Sequence, residues 1–122
     1  MFIYFDGDDI GNHLELLLLD GQLDEAANFS RQVSTAMCEI QKFLQQLSGV
    51  KIHLCGGDDL IANFSEISLS AEEVELLRKQ FESQCGVTIS AGVGQSIEVA
   101  LANLRRAKLS GKNKVVGFSN IS

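Results

Sequence analysis

Five of the sixteen acidic residues stand in two short clusters, and these are the residues best placed to do chemistry. Asp6-Gly7-Asp8-Asp9 follows the apolar run Phe2-Ile3-Tyr4-Phe5. Cys55-Gly56-Gly57-Asp58-Asp59 lies between Val50-Lys51-Ile52-His53-Leu54 and Leu60-Ile61-Ala62-Asn63-Phe64. The second pattern predicts a β-hairpin with a carboxylate pair at its tip. If the two strand ends lie side by side, several carboxylates converge. Such a cluster repels itself unless divalent cations or protons neutralise it. Mg²⁺ takes oxygen ligands and is commonly held by one or two carboxylates plus substrate phosphates, so divalent metal acting on polyphosphate is the chemistry these residues suit.

Each residue has a plainer alternative. Asp6, at the end of an apolar strand, could be a metal ligand with the Gly7 carbonyl beside it, or a helix N-cap. One of Asp8 and Asp9 could serve metal or substrate while the other complements a helix dipole. Asp58 and Asp59 are adjacent, so in a regular strand only one would face the site. A turn relaxes that rule, although a type I′ or II′ hairpin with solvated acids is the simpler reading. Towards the C-terminus, Lys108, Lys112 and Lys114 surround Ser110, Gly111 and Asn113. They are favourable charges at a helix end or compensation for a triphosphate. Arg105 and Arg106 fit the first role. His13 and His53 read as surface or packed residues, and no base near Cys55 argues for a nucleophile.

The elements that must position these residues follow from hydrophobic spacing. Residues 2–5 read as a buried strand. Ile10, Leu14, Leu17 and Leu18 mark a helix over 10–19, broken at Gly21. Phe29, Val33, Ala36, Ile40, Phe43 and Leu47 mark a long helix over 23–48, with Gly49 as its C-terminal cap. The hairpin occupies 50–64. Ser70-Ala71-Glu72-Glu73 is a capping box opening a helix over 71–84 with Val74, Leu77 and Phe81 inward. Residues 87–93 alternate as a strand. Ser96 starts a helix over 97–110 along Ile97, Leu101 and Leu104, and 114–118 is a last edge strand. The order β-α-α-β-β-α-β-α-β predicts an α+β, ferredoxin-like palm, an antiparallel-rich sheet with helices on one face. In that topology Asp6 meets Asp58 and Asp59.

At 122 residues, with 45% hydrophobic content, the chain reads as one domain, 1–122, with a packed core. A net charge of −6 argues against binding a nucleic-acid backbone, so no polymeric nucleic acid is expected as a partner. Three dispersed cysteines, no zinc spacing and no signal-like start fit a reducing, cytoplasmic setting. No apolar stretch approaches the roughly 20 residues that span a bilayer.

Phe5-Asp6-Gly7-Asp8, Gly56-Gly57-Asp58-Asp59, Thr88-Ile89-Ser90-Ala91-Gly92-Val93 and Ala107-Lys108-Leu109-Ser110-Gly111-Lys112-Asn113-Lys114-Val115, in that order, resemble the GGDEF and CRISPR-polymerase palm superfamily. The short length, the Asp58-Asp59 pair and the Asp6-Gly7-Asp8 opening are most similar to its minimal CRISPR polymerase group, mCpol. The resemblance implies cyclic nucleotide synthesis from nucleoside triphosphates with two Mg²⁺ or Mn²⁺ ions. It also implies a role in antiviral defence, with the product read by a separate effector. By position it makes Asp6 and Asp58 metal ligands, Asp59 a further ligand or charge partner, and Gly7 a carbonyl donor. Gly56 and Gly57 would admit substrate close to the backbone. Lys108 would bind phosphates, with Lys112 and Asn113 in support. Diguanylate cyclases follow the hairpin acids with Phe, where this chain has Leu60. Their guanine-reading Asn and Asp fall, on an ungapped count, at Leu14 and Leu23, with Asn12 and Asp24 nearby. No Arg-x-x-Asp precedes the hairpin. These departures favour ATP. A palm holding one activated triphosphate predicts a homodimer with its active sites at the interface. Two alternatives share the architecture: a GTP cyclohydrolase III-like enzyme that opens the purine ring, and a palm that binds nucleotide without catalysis.

Overall fold

In a computed structural model, which describes residues 1–118, a five-stranded sheet carries four helices. The elements run β1 (Phe2–Gly7), α1 (Ile10–Leu19), α2 (Leu23–Gln45), β2 (Lys51–Cys55), β3 (Asp59–Asn63), α3 (Ala71–Cys85), β4 (Ile89–Gly94), α4 (Ile97–Leu109) and β5 (Val115–Val116). The strand order is β2-β3-β1-β4-β5. β1 is central and antiparallel to both β3 and β4. Only the β4–β5 pair is parallel, and α4 supplies the crossover such a pair needs. The sheet is therefore mixed, and the expected α+β palm is the observed fold.

Alternation along the strands separates two faces. Ile3 and Phe5 of β1, Leu60 and Ala62 of β3, and Ile89, Ala91 and Val93 of β4 point to one side. There they meet Phe29, Val33, Met37, Ile40 and Leu44 of α2 and Val74, Leu77 and Phe81 of α3. Ile10, Leu14 and Leu17 of α1 pack against the edge of this core. Burial of each large side chain in it contributes roughly 1.5–3 kcal/mol. The capping box is present: the Ser70 side chain accepts from Glu73 N, and the Glu73 carboxylate accepts from Ser70 N.

One-sided placement of the helices holds for α1, α2 and α3, but α4 covers the opposite face. The cause is glycine on β4. A Cβ on Gly92 would lie 2.1 Å from the Ala100 carbonyl oxygen and 2.3 Å from Leu104 N, and one on Gly94 would lie 2.7 Å from Ala100 N. Backbone meets backbone there, so α4 buries Ala100, Leu104 and Ala107. The larger Leu101, expected inward, is 46% exposed. Close approach favours the smallest side chains, which hydrophobic spacing does not flag.

Other boundaries shift modestly. α2 ends at Gln45, and Gly49, with φ 77°, turns the chain after it. β5 is two residues long, because Gly117 at φ 111° bends the chain directly after Val116. Among the described residues no helix is long and apolar enough to cross a membrane.

Gly92→Ala should drive α4 off the sheet. We expect a loss of about 1–3 kcal/mol, the usual cost of overpacking, read as a lower urea midpoint with an unchanged slope.

Candidate metal and nucleotide site

The site forms where β1 ends beside the tip of the β2–β3 hairpin. Asp6 pairs directly with Asp59 across the two strands. Gly7 N donates to the Asp58 carbonyl at 2.9 Å, and Gly56 N donates to the Asp59 carbonyl at 2.9 Å. The first bond ties the tip to the end of β1, and the second closes the tip itself. Asp58 belongs to the tip and Asp59 opens β3, so the two-face rule of a regular strand does not separate them. Carboxylate oxygens of Asp6, Asp58 and Asp59 lie within 4.8 Å of one another. Neither Gly56 nor Gly57 has a positive φ, so the tip is not a type I′ or II′ turn. Gly56 instead provides room: a Cβ there would sit 2.9 Å from Asp59 Oδ1. At Gly7 a Cβ would strike the Ile10 side chain at 2.7 Å.

Lys108, one residue from the end of α4, reaches over the end of β1. Its Nζ donates to the carbonyl oxygens of Asp6 at 3.0 Å and Gly7 at 2.9 Å, and to Asp8 Oδ1 at 2.7 Å. It also pairs with Asp6 Oδ2 at 3.1 Å. Asp8 is 3% exposed. It accepts from Thr88 Oγ1 at 2.7 Å, Ser90 Oγ at 2.9 Å, Asn113 N at 2.9 Å and Lys108. Asp9 sits at the N-cap of α1 without a side-chain capping bond and pairs with Lys112.

On the other side of the tip a cleft of about 220 Å³ opens between α1 and α2. Ile10, Leu14, Phe29 and Val33 give it apolar walls, and Ser30 and Ser34 add hydroxyls. It reaches Gly57 and Asp58.

Residues 2–118 match the family model described as the minimal CRISPR polymerase domain. The chain belongs to the mCpol family. No curated protein matches it. Membership of mCpol suggests a CRISPR-associated, polymerase- or nucleotidyltransferase-type role, and polymerase-type domains generally use divalent metals. The mCpol carboxylates fit such ions by chemistry: three hard oxygen donors, from two strand ends, within reach of one centre. Burial pushes the Asp6 carboxyl above the ordinary carboxylate range; Lys108 opposes this, and the charges of Asp58 and Asp59 add to it. A second cation beside Lys108 would relieve that repulsion.

The mCpol structure thus brings together Asp6, Asp58, Asp59, Gly7 and Lys108. Asp8 lies behind them, turned to β4 and α4 rather than to the three carboxylates. Asn113 binds Asp8 through its backbone, and its side-chain Oδ1 accepts from Arg78. Thr88, Ser90 and Arg78 were missed as supporting residues. The alternating strand signal around Thr88 and Ser90 hid them, and a buried arginine in an amphipathic helix has no local signature. The hydroxyls of Ser30 and Ser34 were equally silent beside the apolar stripe of α2.

Burial raises the Asp8 carboxyl, but bonds from Lys108, Thr88 and the Asn113 backbone outweigh it and hold the group below its ordinary value. A depressed folded-state value makes its contribution complete at neutral pH and lost as pH falls through that value. Acid denaturation should therefore include a component below about pH 4 that Asp8→Asn lacks. Removing the carboxylate leaves Lys108 its Asp6 and backbone partners but takes the acceptor from Thr88 Oγ1, Ser90 Oγ and Asn113 N, so Asp8→Ala should cost about 1–3 kcal/mol at pH 7 by urea titration.

Proposed function

We propose that this chain is a metal-dependent nucleotidyltransferase that makes a cyclic dinucleotide or small cyclic oligonucleotide from nucleoside triphosphates, ATP favoured. The observation that carries this reading is the convergence of Asp6, Asp58 and Asp59 next to an apolar cleft. The carboxylates suit divalent cations carrying a triphosphate, and the cleft suits the flat apolar surface of a base. Cations bound there supply charge neutralisation to the attacking and leaving oxygens.

The chain's own residues divide the remaining work. Asp6, Asp58 and Asp59 hold the cations. Lys108 fixes the backbone at Asp6 and Gly7 and adds positive charge where phosphate arrives, with Lys112 and Asn113 nearby. Gly56 and Gly57 leave the hairpin backbone open to the substrate. Ser30 and Ser34 offer hydroxyl contacts to a base between Leu14 and Phe29. A ribose hydroxyl of one nucleotide attacks the α-phosphate of another, and pyrophosphate leaves. The same step in the reverse sense closes the ring. A homodimer with its active sites at the interface brings two activated triphosphates face to face, each supplying the other's nucleophile. The product acts in cytoplasmic antiviral defence through a separate effector; the match to a CRISPR polymerase domain supports the CRISPR-associated part of this reading.

Mass spectrometry of reactions containing ATP, GTP or both, with Mg²⁺, is expected to reveal a cyclic adenine nucleotide that Asp58→Ala does not make. Full turnover by Asp58→Ala would sink the assignment. Asp58→Ala should remain folded and melt no lower than the parent without metal, because one of three like charges is gone.

Sedimentation with substrate and Mg²⁺ should show a dimer. A species that stays monomeric under those conditions would count against the shared-interface arrangement.

A further inference from the structure

Arg78 is a charged residue buried in α3. Its guanidinium uses three nitrogens on three partners. Nε donates to the Ile89 carbonyl at 2.8 Å, Nη1 to Glu75 Oε1 at 2.8 Å, and Nη2 to Asn113 Oδ1 at 2.7 Å. Glu75 and Ile89 lie close by in α3 and at the start of β4. Asn113 is 35 residues away, in the loop between α4 and β5. A single ammonium could not serve these three directions from one planar fork.

That loop is conformationally unusual. Gly111, Lys112 and Asn113 have φ of 115°, 62° and 53°, three consecutive residues in left-handed backbone. Glycine adopts this freely and asparagine tolerates it, but lysine does so only when its surroundings impose it. The imposing contacts are visible. Lys112 N donates to the Ala107 carbonyl at 2.9 Å, and Asn113 N donates to Asp8 Oδ2 at 2.9 Å. The Lys112 ammonium pairs with Asp9. Arg78 clamps the Asn113 side chain from behind.

A continuous chain of hydrogen bonds results: Arg78 to Asn113, Asn113 to Asp8, Asp8 to Lys108, and Lys108 to Asp6. Both ammonium groups beside the acidic clusters depend on it. Lys112 is part of the loop, and Lys108 is oriented by Asp8, which the loop's Asn113 helps to hold.

We infer that Arg78 is a positioning residue for the nucleotide site: by clamping Asn113 it holds the Gly111–Asn113 loop in left-handed backbone and so sets Lys112 and, through Asp8, Lys108 against the incoming phosphates. The inference rests on the nucleoside triphosphate reading of the site. It makes Arg78 act through the loop rather than on substrate, so its loss should weaken binding more than chemistry.

The test compares Arg78→Met, Arg78→Lys, Asn113→Ala and the Arg78→Met/Asn113→Ala double variant. One readout needs no substrate: the rate of tryptic cleavage after Lys112 in the native protein, against cleavage after Lys42 and Lys79 within helices. Arg78→Met is expected to speed cleavage after Lys112 about tenfold, the scale of one charge-assisted hydrogen bond, without a matching rise at Lys42 or Lys79. Asn113→Ala should speed it at least as much, because it also loses asparagine's tolerance of left-handed backbone, and adding Arg78→Met to it should bring no further rise, because both break one clamp. Arg78→Lys should not rescue. The second readout is ATP turnover, where KM should rise severalfold while kcat changes little.

Parental protection of the loop in a folded Arg78→Met protein would overturn the inference. So would additive effects in the double variant, or an equal rise at Lys42 and Lys79, which marks general unfolding. If Arg78→Met does not fold, Arg78→Lys decides in its place, since it keeps the charge but lacks the three-way fork, and parental protection in it would overturn the inference. Failure of the parent protein to make product counts against the nucleotidyltransferase reading, whereas loop protection is scored independently of it.

Discussion

Mutual repulsion among three carboxylates is the constraint around which this molecule is arranged. Asp6, Asp58 and Asp59 are brought together by strand pairing, which sets them within reach of one cation. A fold that assembles such a cluster must offset it, and here part of the offset is internal. Lys108 bridges the Asp6 carboxylate and two backbone carbonyls, and buried Asp8 holds Lys108 in that place. Burial works against both acids, but the balance differs. Asp6 has one cation and two like charges near it, and its carboxyl is pushed up. Asp8 has a cation, two hydroxyls and a backbone N–H, and its carboxyl is held down. Environment thus divides neighbouring acids of one motif into a member of the carboxylate cluster and a structural anion.

The position of Lys108 depends on packing far from the charges. α4 lies so close to β4 that only glycine fits beneath it at residues 92 and 94. That approach lets a side chain near the end of α4 reach the end of β1. Were α4 held off by ordinary side chains, the ammonium would fall short of the Asp6 and Gly7 carbonyls. Small residues in β4 and α4 are therefore part of the site's construction, although none of them touches it. The loop that follows α4 extends the same logic, tying the C-terminal strand to α3 through Arg78 and to β1 through Asp8.

Much of the fold was legible from local pattern. The capping box at Ser70, the apolar stripe of α2 and the Gly-Gly-Asp-Asp hairpin are short-range signals, and each stands where the pattern puts it. Strand alternation in β4 was also clear. The stripe of α4 was read wrongly at Leu101, because the helix buries alanines against glycines and spacing of large apolar residues cannot reveal so close an approach. The tip could also be read as a type I′ or II′ turn. It uses Gly56 for space instead, a distinction visible only once the Asp59 carboxylate has a direction.

By itself the sequence determined the inventory of chemistry: paired acids after two apolar runs, a lysine-rich tail, and an element order that permits a palm. Those follow from residue type and periodicity, which are local properties. Tertiary structure alone decided which acids face one another and which lysine answers them. It turned Asp8 away from the Asp6 cluster, placed α4 on the opposite face, and joined Arg78 to Asn113 across 35 residues. Such choices depend on distances between elements remote in the chain. Coulombic and hydrogen-bond energies vary steeply with those distances, and no local spacing encodes them.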